Sequence, residues 1–482
     1  MRLHPKRLVA SALCSLLLLA ASPGWAFSSA RAVAHQPPDA AVAPSPAPPE
    51  APVAAPVPAV RVAPRSAVEL PKLVAENRAR AEAENRSLPP NDLRYDKIQF
   101  ADRAALETFA TAWAFSSEER LRIVHVGDSH VQAGWSTAVL RDRMRAIHGD
   151  GGYGLVFPYS TATPYAPERL VTKHGGDWNR VTAIHNGLSF PLGLVGMSSR
   201  ATAATDWATI DFGRSFSAPN SASANWTRVT SFCREGPGNF DLSLDWGSGP
   251  VVVPLASGRP GRLGVQRAEL APTRSMLRIA PVGADPGSLE CEGFSVESSQ
   301  PGGVIVDAVG VGGAQFRSFL RAEYLVEQLG EISPDLVILD LGTNDYLYEN
   351  RLEPDLESQI RALIGRVRRA KPSASILLTT VQDLEYKRKA VTQGEAFVEL
   401  IHRIAASEGC AVWDWFHLSG GQGTLQAWRE AGLARPDMIH LTKEGYERKG
   451  AALADALTEV IAWMEQHPEG SRLLGAGENR LP

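Results

Sequence analysis

The sequence predicts an α/β fold, in which a parallel five-stranded sheet is covered by helices and interrupted by an inserted β-sandwich. The strands are indicated by five apolar runs of strand length: LRIVHVG, GVIVDAVG, DLVILDLG, SILLTTV and CAVWDWF. Helical patterns such as TAVLRDRMRAI and DLESQIRALIGRVRRA follow most of these runs. Near-continuous apolar strands that alternate with helices are typical of a parallel sheet buried on both faces. Ligands of such sheets bind beyond the carboxyl ends of the strands.

The overall composition is that of a globular protein. The chain has 482 residues, of which 44% are hydrophobic and 21% charged, and its formal net charge is -4. Because no stripe of Lys and Arg stands out, we expect no nucleic-acid partner. The oligomeric state is not indicated by the sequence.

The first 26 residues have the pattern of a secretory signal peptide. A basic start, MRLHPKR, precedes the apolar stretch LVASALCSLLLLAAS, and small residues follow at Gly24 and Ala26. This arrangement predicts export to the periplasm or the exterior. The alternative is an uncleaved membrane anchor, although the apolar run is short for a span. Such an anchor would be the one predicted contact with a membrane.

A linker and a first helical region follow the signal segment. Residues 27–70 are dominated by Ala, Pro and Val, a composition that cannot build a core and predicts an extended linker. The first part of the α/β domain is predicted over 71–164. Its pattern RAALETFATAWAFS places Leu106, Phe109 and Trp113 at helical spacing, as core contacts.

The alternation of strands and helices is interrupted over 165–300. Short alternating runs, such as NFDLSLDWG and SMLRIAPV, are separated there by Gly, Pro and Ser. They predict an inserted β-sandwich of carbohydrate-binding type, followed by the second part of the α/β domain over 301–482. The insert contains four tryptophans that can stack on sugars or fill its core: Trp178, Trp207, Trp226 and Trp246.

Removal of the signal peptide leaves three cysteines. An exported chain permits disulfides, and Cys233 and Cys291 flank one β-rich stretch, so these two can pair. Cys410 is then the odd thiol, expected to be buried beside an apolar strand.

The first strand ends in IVHVGDSHVQAG, which places Ser129 just beyond the sheet. We expect Ser129 near the start of the helix STAVLRDRM, where free N–H groups can stabilise an oxyanion. An ordinary capping serine has the same pattern. We expect His125 to be a satisfied core histidine and His130 to point away from Ser129.

Asp437 and His440 lie three residues apart in RPDMIHLTKEGY, on a loop before the last helix. This spacing lets the carboxylate hold one imidazole nitrogen while the other faces a nucleophile. A capping Asp beside a surface His is the structural alternative. In LVILDLGTNDYL, a buried strand ends in Gly342, Thr343 and Asn344, and the Asn344 amide can donate to an oxyanion. The glycines of DAVGVGGAQF leave room for a substrate.

Four blocks occur in chain order, each just beyond a predicted strand: GDSH, VGVGGA, GTND and DMIH. They resemble the blocks of the SGNH (GDSL-type) hydrolase family over about 120–160 and 300–465. The resemblance implies a three-layer α/β/α flavodoxin-like fold. It also implies Ser129 as nucleophile, His440 as base, Asp437 as its partner, and an oxyanion hole of the Ser129 N–H, a glycine N–H and Asn344. Gly313 aligns best as that glycine, and Gly312 is the alternative.

A closer resemblance is to exported peptidoglycan O-acetylesterases, in which a β-sandwich interrupts the SGNH domain. GDSHVQAG, GDGGYGLVFPYS and the stretch before DMIH carry it. It implies a serine esterase that removes O-acetyl groups from a cell-wall polysaccharide, most simply peptidoglycan. The alternatives are a polysaccharide O-acetyltransferase, a lipase or thioesterase, and a wall-binding protein that has lost catalysis.

No metal or cofactor is expected. The sequence has no H-E-x-x-H motif and no Cys/His cluster, so a catalytic metal is not indicated. Acyl transfer through a serine needs no cofactor. The loop GDGGYG resembles a phosphate loop only superficially, because it lacks the lysine and does not open a helix.

Overall fold

The computed structural model describes residues 98–215 and 225–467, so the predicted signal peptide and linker lie outside the described residues. The strands in chain order are β1 (Leu121–Gly127), β2 (Gly152–Val156), β3 (Val171–Gly175), β4 (Trp178–Thr182), β5 (Met197–Ala201), β6 (Trp207–Asp211), β7 (Trp226–Arg234), β8 (Asp241–Asp245), β9 (Pro250–Val253), β10 (Leu263–Glu269), β11 (Met276–Val282), β12 (Leu289–Ser298), β13 (Val304–Gly310), β14 (Leu336–Asp340), β15 (Ser375–Thr379), β16 (Leu384–Tyr386), β17 (Lys389–Val391) and β18 (Ala411–Trp413).

The α-helices are α1 (Glu107–Ala114), α2 (Ser129–Gln132), α3 (Trp135–His148), α4 (Phe316–Phe319), α5 (Leu325–Ile332), α6 (Thr343–Tyr346), α7 (Leu356–Ala370), α8 (Gly394–Glu408), α9 (Trp415–Leu418), α10 (Leu425–Glu430) and α11 (Lys443–Gln466). Short 3-10 helices lie at Arg103–Leu106, Tyr159–Thr161 and Gly213–Ser215. None of the helices described is both long and apolar enough to cross a bilayer.

The five apolar runs form one parallel sheet, as predicted. Its strand order is β13-β1-β14-β15-β18, and every neighbouring pair is parallel. Counted along the chain within this sheet, the order is 2-1-3-4-5, which is the flavodoxin-like order. The direction of chain progression reverses between β1 and β14. Side chains beyond the carboxyl ends of these two strands therefore border the crevice in which such sheets bind ligands.

Two separate apolar cores cover the faces of the parallel sheet. Along β1, Leu121 and Ile123 belong to the core that contains residues of α1, α3 and α11. The alternate residues Val124 and Val126 belong to the core that contains residues of α5, α7 and α8. Because successive side chains of a strand point to opposite faces, this alternation places helices on both sides of the sheet. The predicted three-layer α/β/α arrangement is confirmed.

The interrupting region consists of two antiparallel sheets. One has the order β10-β7-β12-β5-β4, with β2 also paired to β12, and the other has the order β3-β6-β11-β8-β9. Trp226 begins β7 of the first sheet, and Trp246 directly follows β8 of the second. The ring of Phe212 lies between them, 5.9 Å from Trp226 and 5.4 Å from Trp246. The two sheets thus share one aromatic core, as in a β-sandwich. The antiparallel pairing begins at β2, before the predicted boundary at 165.

Two of the insert's tryptophans are core residues. Trp226 and Trp246 are fully buried, whereas Trp178 and Trp207 are only half-buried. The guanidinium of Arg278 lies 5.0 Å from the centre of the Trp207 ring. Burial therefore excludes sugar stacking for the first two and leaves it open for the others.

The cysteine pairing that the sequence suggested is confirmed. Cys233 on β7 and Cys291 on β12 form a disulfide across neighbouring strands, and Cys410 is buried and outside it.

A buried ionic group links the insert to the parallel sheet. Arg122 of β1 donates to Glu297 of β12 at 2.8 Å, and its Nε lies 3.4 Å from Asp307 of β13. Buried charges are tolerated when they are paired in this way. These contacts fix the insert against the strands whose far ends carry the site.

Candidate active site

Ser129 lies directly beyond β1, as predicted, but it begins a separate helix. The four-residue helix α2 starts at Ser129, and the long helix α3 starts only at Trp135. Gly134 separates the two helices with a φ of 75°, a conformation that favours glycine. Asp128 caps α2, because its carboxylate accepts the N–H of His130 at 2.9 Å. The sequence placed Ser129 near the start of the long helix, and the structure shows that Ser129 begins its own short helix before it.

The structure brings Ser129, His440 and Asp437 into one hydrogen-bonded chain. Ser129 Oγ lies 2.9 Å from His440 Nε2, and His440 Nδ1 lies 2.9 Å from Asp437 Oδ2. Asp437 and His440 lie on the loop before α11, where the sequence placed them. The geometry is that of a nucleophile, a base and a carboxylate that orients the base.

The Asp437 carboxylate is held in its charged form. Burial acts to raise the pKa of Asp437. Hydrogen bonds from the backbone N–H groups of His440 and Ile439, together with the imidazole, outweigh that effect and lower the pKa overall. An ionised Asp437 accepts a hydrogen bond from Nδ1–H of His440, which leaves Nε2 as the acceptor that faces Ser129.

Two of the backbone N–H groups that the sequence predicted as oxyanion donors are unused. The N–H groups of Ser129 and Gly313 have no acceptor within the residues that the structure describes. The N–H of Gly312, by contrast, donates to the side-chain oxygen of Gln132 at 2.6 Å. Of the two glycines, only Gly313 therefore offers an unused donor. It adopts a φ of 80°, which again favours glycine.

Asn344 lies at the predicted edge of the sheet, but its amide is engaged. Its Nδ2 donates to Asp128 Oδ2 at 3.2 Å and to the carbonyl of Ala314 at 3.0 Å. Donation to an oxyanion requires that one of these bonds be shared or given up. Burial raises the pKa of Asp128 to about 7, so its carboxyl group changes charge near neutral pH.

His130 was expected to point away from the site, and the structure contradicts this. Its buried ring stacks on the ring of His440 with centres 5.2 Å apart, and its Nδ1 lies 2.8 Å from the hydroxyl of Tyr446. Burial, and next the nearby His440, hold the pKa of His130 well below its usual range. A neutral ring therefore packs beside the candidate base. The sequence offered only its adjacency to Ser129 as a signal.

Ser129 and His440 face a cavity of about 600 Å3. Segment 165–170, between β2 and β3, forms one wall, and Trp135 and Arg435 line the cavity on the side of the α/β domain. The Trp135 indole N–H donates to Glu168 of that wall at 2.8 Å. The residues before the second antiparallel sheet thus help to shape the candidate site.

A second histidine, His125, is a satisfied core residue, as expected. It is fully buried, lies 3.2 Å from Asp340 Oδ2, and contacts the Thr137 hydroxyl at 3.1 Å. The buried Lys449 ammonium also donates to Asp340, at 2.7 Å. Across residues 98–215 and 225–467, no group of three or more His, Cys, Asp or Glu side chains is arranged to hold a metal ion.

The second part of the α/β domain matches the model of a known protein family. Residues 295–448 match the model of the GDSL-like lipase/acylhydrolase family. The match contains Gly313, Asn344, Asp437 and His440, but not Ser129, which the insert separates from it in sequence. No curated protein sequence matches the chain.

A solved structure shares the fold of this chain. The chain is 24% identical to a peptidoglycan O-acetylesterase, with a TM-score of 0.62 over 76% of this chain and 99% of that one. Family two carbohydrate esterases are more distant. The one from Cellvibrio japonicus is 12% identical over 61% of this chain and 100% of its own, with a TM-score of 0.25. The one from Clostridium thermocellum is 10% identical over 55% and 95%, with a TM-score of 0.27.

The likeness to the peptidoglycan O-acetylesterase establishes the fold. The family match covers three of the predicted blocks, and the parallel sheet brings the fourth, with Ser129, beside them. The second part of the α/β domain therefore matches the GDSL-like lipase/acylhydrolase family, and the chain shares its fold with a peptidoglycan O-acetylesterase.

Proposed function

We propose that this protein is an exported serine esterase that removes O-acetyl groups from a cell-wall polysaccharide, with peptidoglycan as the preferred polymer. One observation carries the proposal. The hydrogen-bonded chain from Ser129 through His440 to Asp437 opens into a cavity that is large enough for a sugar bearing an ester.

In the first half of the reaction, Ser129 Oγ attacks the acetyl carbonyl carbon while its proton passes to His440 Nε2. The carbonyl electron pair moves to oxygen, and the resulting oxyanion accepts hydrogen bonds from the backbone N–H groups of Ser129 and Gly313. Asn344 is the third predicted donor, through the amide proton that it shares with Asp128. The intermediate then expels the sugar oxygen, which takes the proton from His440, and acetyl-Ser129 remains.

In the second half, His440 removes a proton from water, whose oxygen attacks acetyl-Ser129. A second oxyanion forms at the same donors and collapses to acetate, and Ser129 Oγ recovers its proton from His440. The charged Asp437 stabilises the imidazolium in both halves. No step requires a metal or a cofactor.

The choice of substrate rests on two supports. The fold likeness to a peptidoglycan O-acetylesterase extends over 76% of this chain, and the stretches GDSHVQAG and GDGGYGLVFPYS, with the one before DMIH, resemble that group. Segment 165–170 also brings a wall of the inserted region to the cavity, where it can contact a polymer. Export rests on the signal-peptide pattern of residues 1–26, which lie outside the described residues.

The test is acetate release from O-acetylated peptidoglycan by the purified protein, with O-acetylated xylan as a comparison polymer. We expect Ser129→Ala to lower the rate by at least about 10³-fold. The control, Ser358→Ala, removes an exposed serine on α7 that does not line the cavity, and should retain the rate.

Release that survives Ser129→Ala would contradict the mechanism. Acetyl groups that appear on an added sugar acceptor instead of as free acetate would show an acetyltransferase. Cleavage of a small aryl acetate through Ser129, without reaction on either polymer, would keep the triad and reject the substrate.

A further inference from the structure

The cavity in front of Ser129 contains one cation whose charge is not balanced by a neighbouring carboxylate. Arg435 is exposed and lines this cavity, and its guanidinium carbon lies 5.3 Å from the centre of the Trp135 ring. In the part of the chain that the structure describes, no carboxylate lies within 4 Å of that guanidinium.

The other cations around the cavity are paired. The Arg169 guanidinium forms a bidentate ion pair with the Asp142 carboxylate, with hydrogen bonds of 2.9 and 2.7 Å. Lys443 donates to Glu168 at 2.8 Å, and this balances the acidic residue in the wall. Arg435 therefore leaves a local positive charge in the cleft of a chain whose net charge is -4. A negatively charged group that enters this cleft is therefore attracted to Arg435.

The position of Arg435 is fixed from two sides. Its backbone N–H donates to the carbonyl of His440 at 2.8 Å, and its carbonyl accepts the N–H of Met438 at 3.1 Å. Its side chain stacks on Trp135, whose indole N–H is held by Glu168. A guanidinium that stacks on an aromatic ring keeps its N–H groups available at the edge for a carboxylate.

We propose that Arg435 binds a carboxylate on the substrate, next to the ester that Ser129 attacks. This inference rests on the proposed function and narrows its substrate to acetylated glycans that carry a carboxylate close to the acetyl group. Arg435 acts here as a specificity-determining residue, because guanidinium groups recognise carboxylates through paired N–H donors. Neutral acetylated glycans lack this contact.

The test compares two sugars that differ by one carboxylate. N-acetylmuramic acid carries an O-lactyl carboxylate that N-acetylglucosamine lacks. We expect the full protein to bind the first about fivefold more tightly, the scale of an exposed but positioned charge pair. Binding is measured by nuclear magnetic resonance titration. Arg435→Gln keeps both backbone hydrogen bonds and should abolish the difference, and Arg435→Lys should restore part of it.

Arg169→Gln is the matched control, because it removes a paired cation from the same cavity and should preserve the discrimination. Equal binding of the two sugars, absence of binding by either, or discrimination that survives Arg435→Gln overturns the inference. The proposed function fails separately, when acetate release from peptidoglycan does not depend on Ser129.

Discussion

At the level of single residues, Gln132 holds the loop that contains Gly312 and Gly313 by a hydrogen bond. Its side-chain oxygen accepts the N–H of Gly312 at 2.6 Å, and the neighbouring Gly313 N–H is left for the oxyanion. Gln132 also lines the cavity. We therefore expect Gln132 to act on the proposed reaction as a positioning residue, through the loop that contains Gly312 and Gly313.

Replacement of Gln132 should separate its two effects. Gln132→Ala removes the acceptor and should lower kcat on an aryl acetate by roughly tenfold, because an oxyanion donor that is misplaced loses part of its contribution. Gln132→Glu keeps the acceptor but adds a negative charge beside the developing oxyanion, so we expect a larger loss of kcat. Steady-state kinetics with both variants measure this. A smaller loss for Gln132→Glu than for Gln132→Ala would contradict the proposed location of the oxyanion.

At the level of elements, the position of helix α2 depends on Gly310 at the end of β13. A Cβ added at Gly310 would lie 2.1 Å from the backbone nitrogen of Gln132, which cannot move without displacing α2. Gly310 belongs to a strand that pairs with β1 along its whole length, so the strand cannot yield either. The short helix that presents Ser129 therefore requires a residue without a side chain at this position.

We expect Gly310→Ala to lower the free energy of unfolding by about 3 kcal/mol, because added atoms in a packed site strain the backbone. Activity should fall as well, since Ser129 moves with α2. Gly365→Ala on α7 is the control. Its Cβ would meet only a side-chain nitrogen of Arg369 at 3.8 Å, and a helical Gly→Ala change should stabilise by about 0.5–1 kcal/mol. Denaturant unfolding of both variants tests this, and equal effects of the two changes would refute the packing argument.

At the level of the whole molecule, two buried acidic residues, Glu292 and Asp340, have pKa values that are shifted in opposite directions. Glu292 on β12 is fully buried, and neither carboxylate oxygen has a hydrogen-bond partner among the described residues. Burial, and next the nearby Glu290, raise its pKa well above the usual range. For Asp340, burial also acts to raise the pKa, but Lys449 and His125 outweigh it and lower the pKa.

These shifts act on stability in opposite directions. The raised pKa of Glu292 means that its contribution to stability is complete below its unfolded pKa, about 4.3, and is lost as the pH rises. The lowered pKa of Asp340 means that its contribution is complete above its unfolded pKa, about 3.9, and is lost as the pH falls. Stability should therefore decline on both sides of an intermediate pH.

Glu292→Gln isolates one of these contributions. Its Tm relative to the parent protein should rise steadily as the pH increases from 4 to 8, because the amide cannot ionise and incurs no cost of burying a charge. Thermal unfolding at several pH values measures the difference. Glu269→Gln, at an exposed position on β10, should show no such trend. A difference in Tm between Glu292→Gln and the parent that is independent of pH would show that folding does not raise the pKa of Glu292.

Much of the fold and part of the site follow from local sequence. The apolar runs and their helices predict the parallel sheet, because each strand carries its own burial pattern. Asp437 and His440 were predictable as a pair, since three residues of one loop separate them. The start of α3 was not predictable, because Gly134 separates α2 from α3 by a left-handed backbone conformation that capping patterns alone did not reveal.

The sequence by itself thus determined the α/β class, the interrupting β region, and Ser129, Asp437 and His440 as candidates. Only the tertiary structure decided that Ser129 meets His440 across 311 residues, and that His130 stacks on the same imidazole. It also decided that Arg435 stacks on Trp135. The physical reason is that these contacts join elements far apart in sequence. They depend on the order of the strands and on close packing at the ends of β1, β13 and β14, which no local pattern encodes.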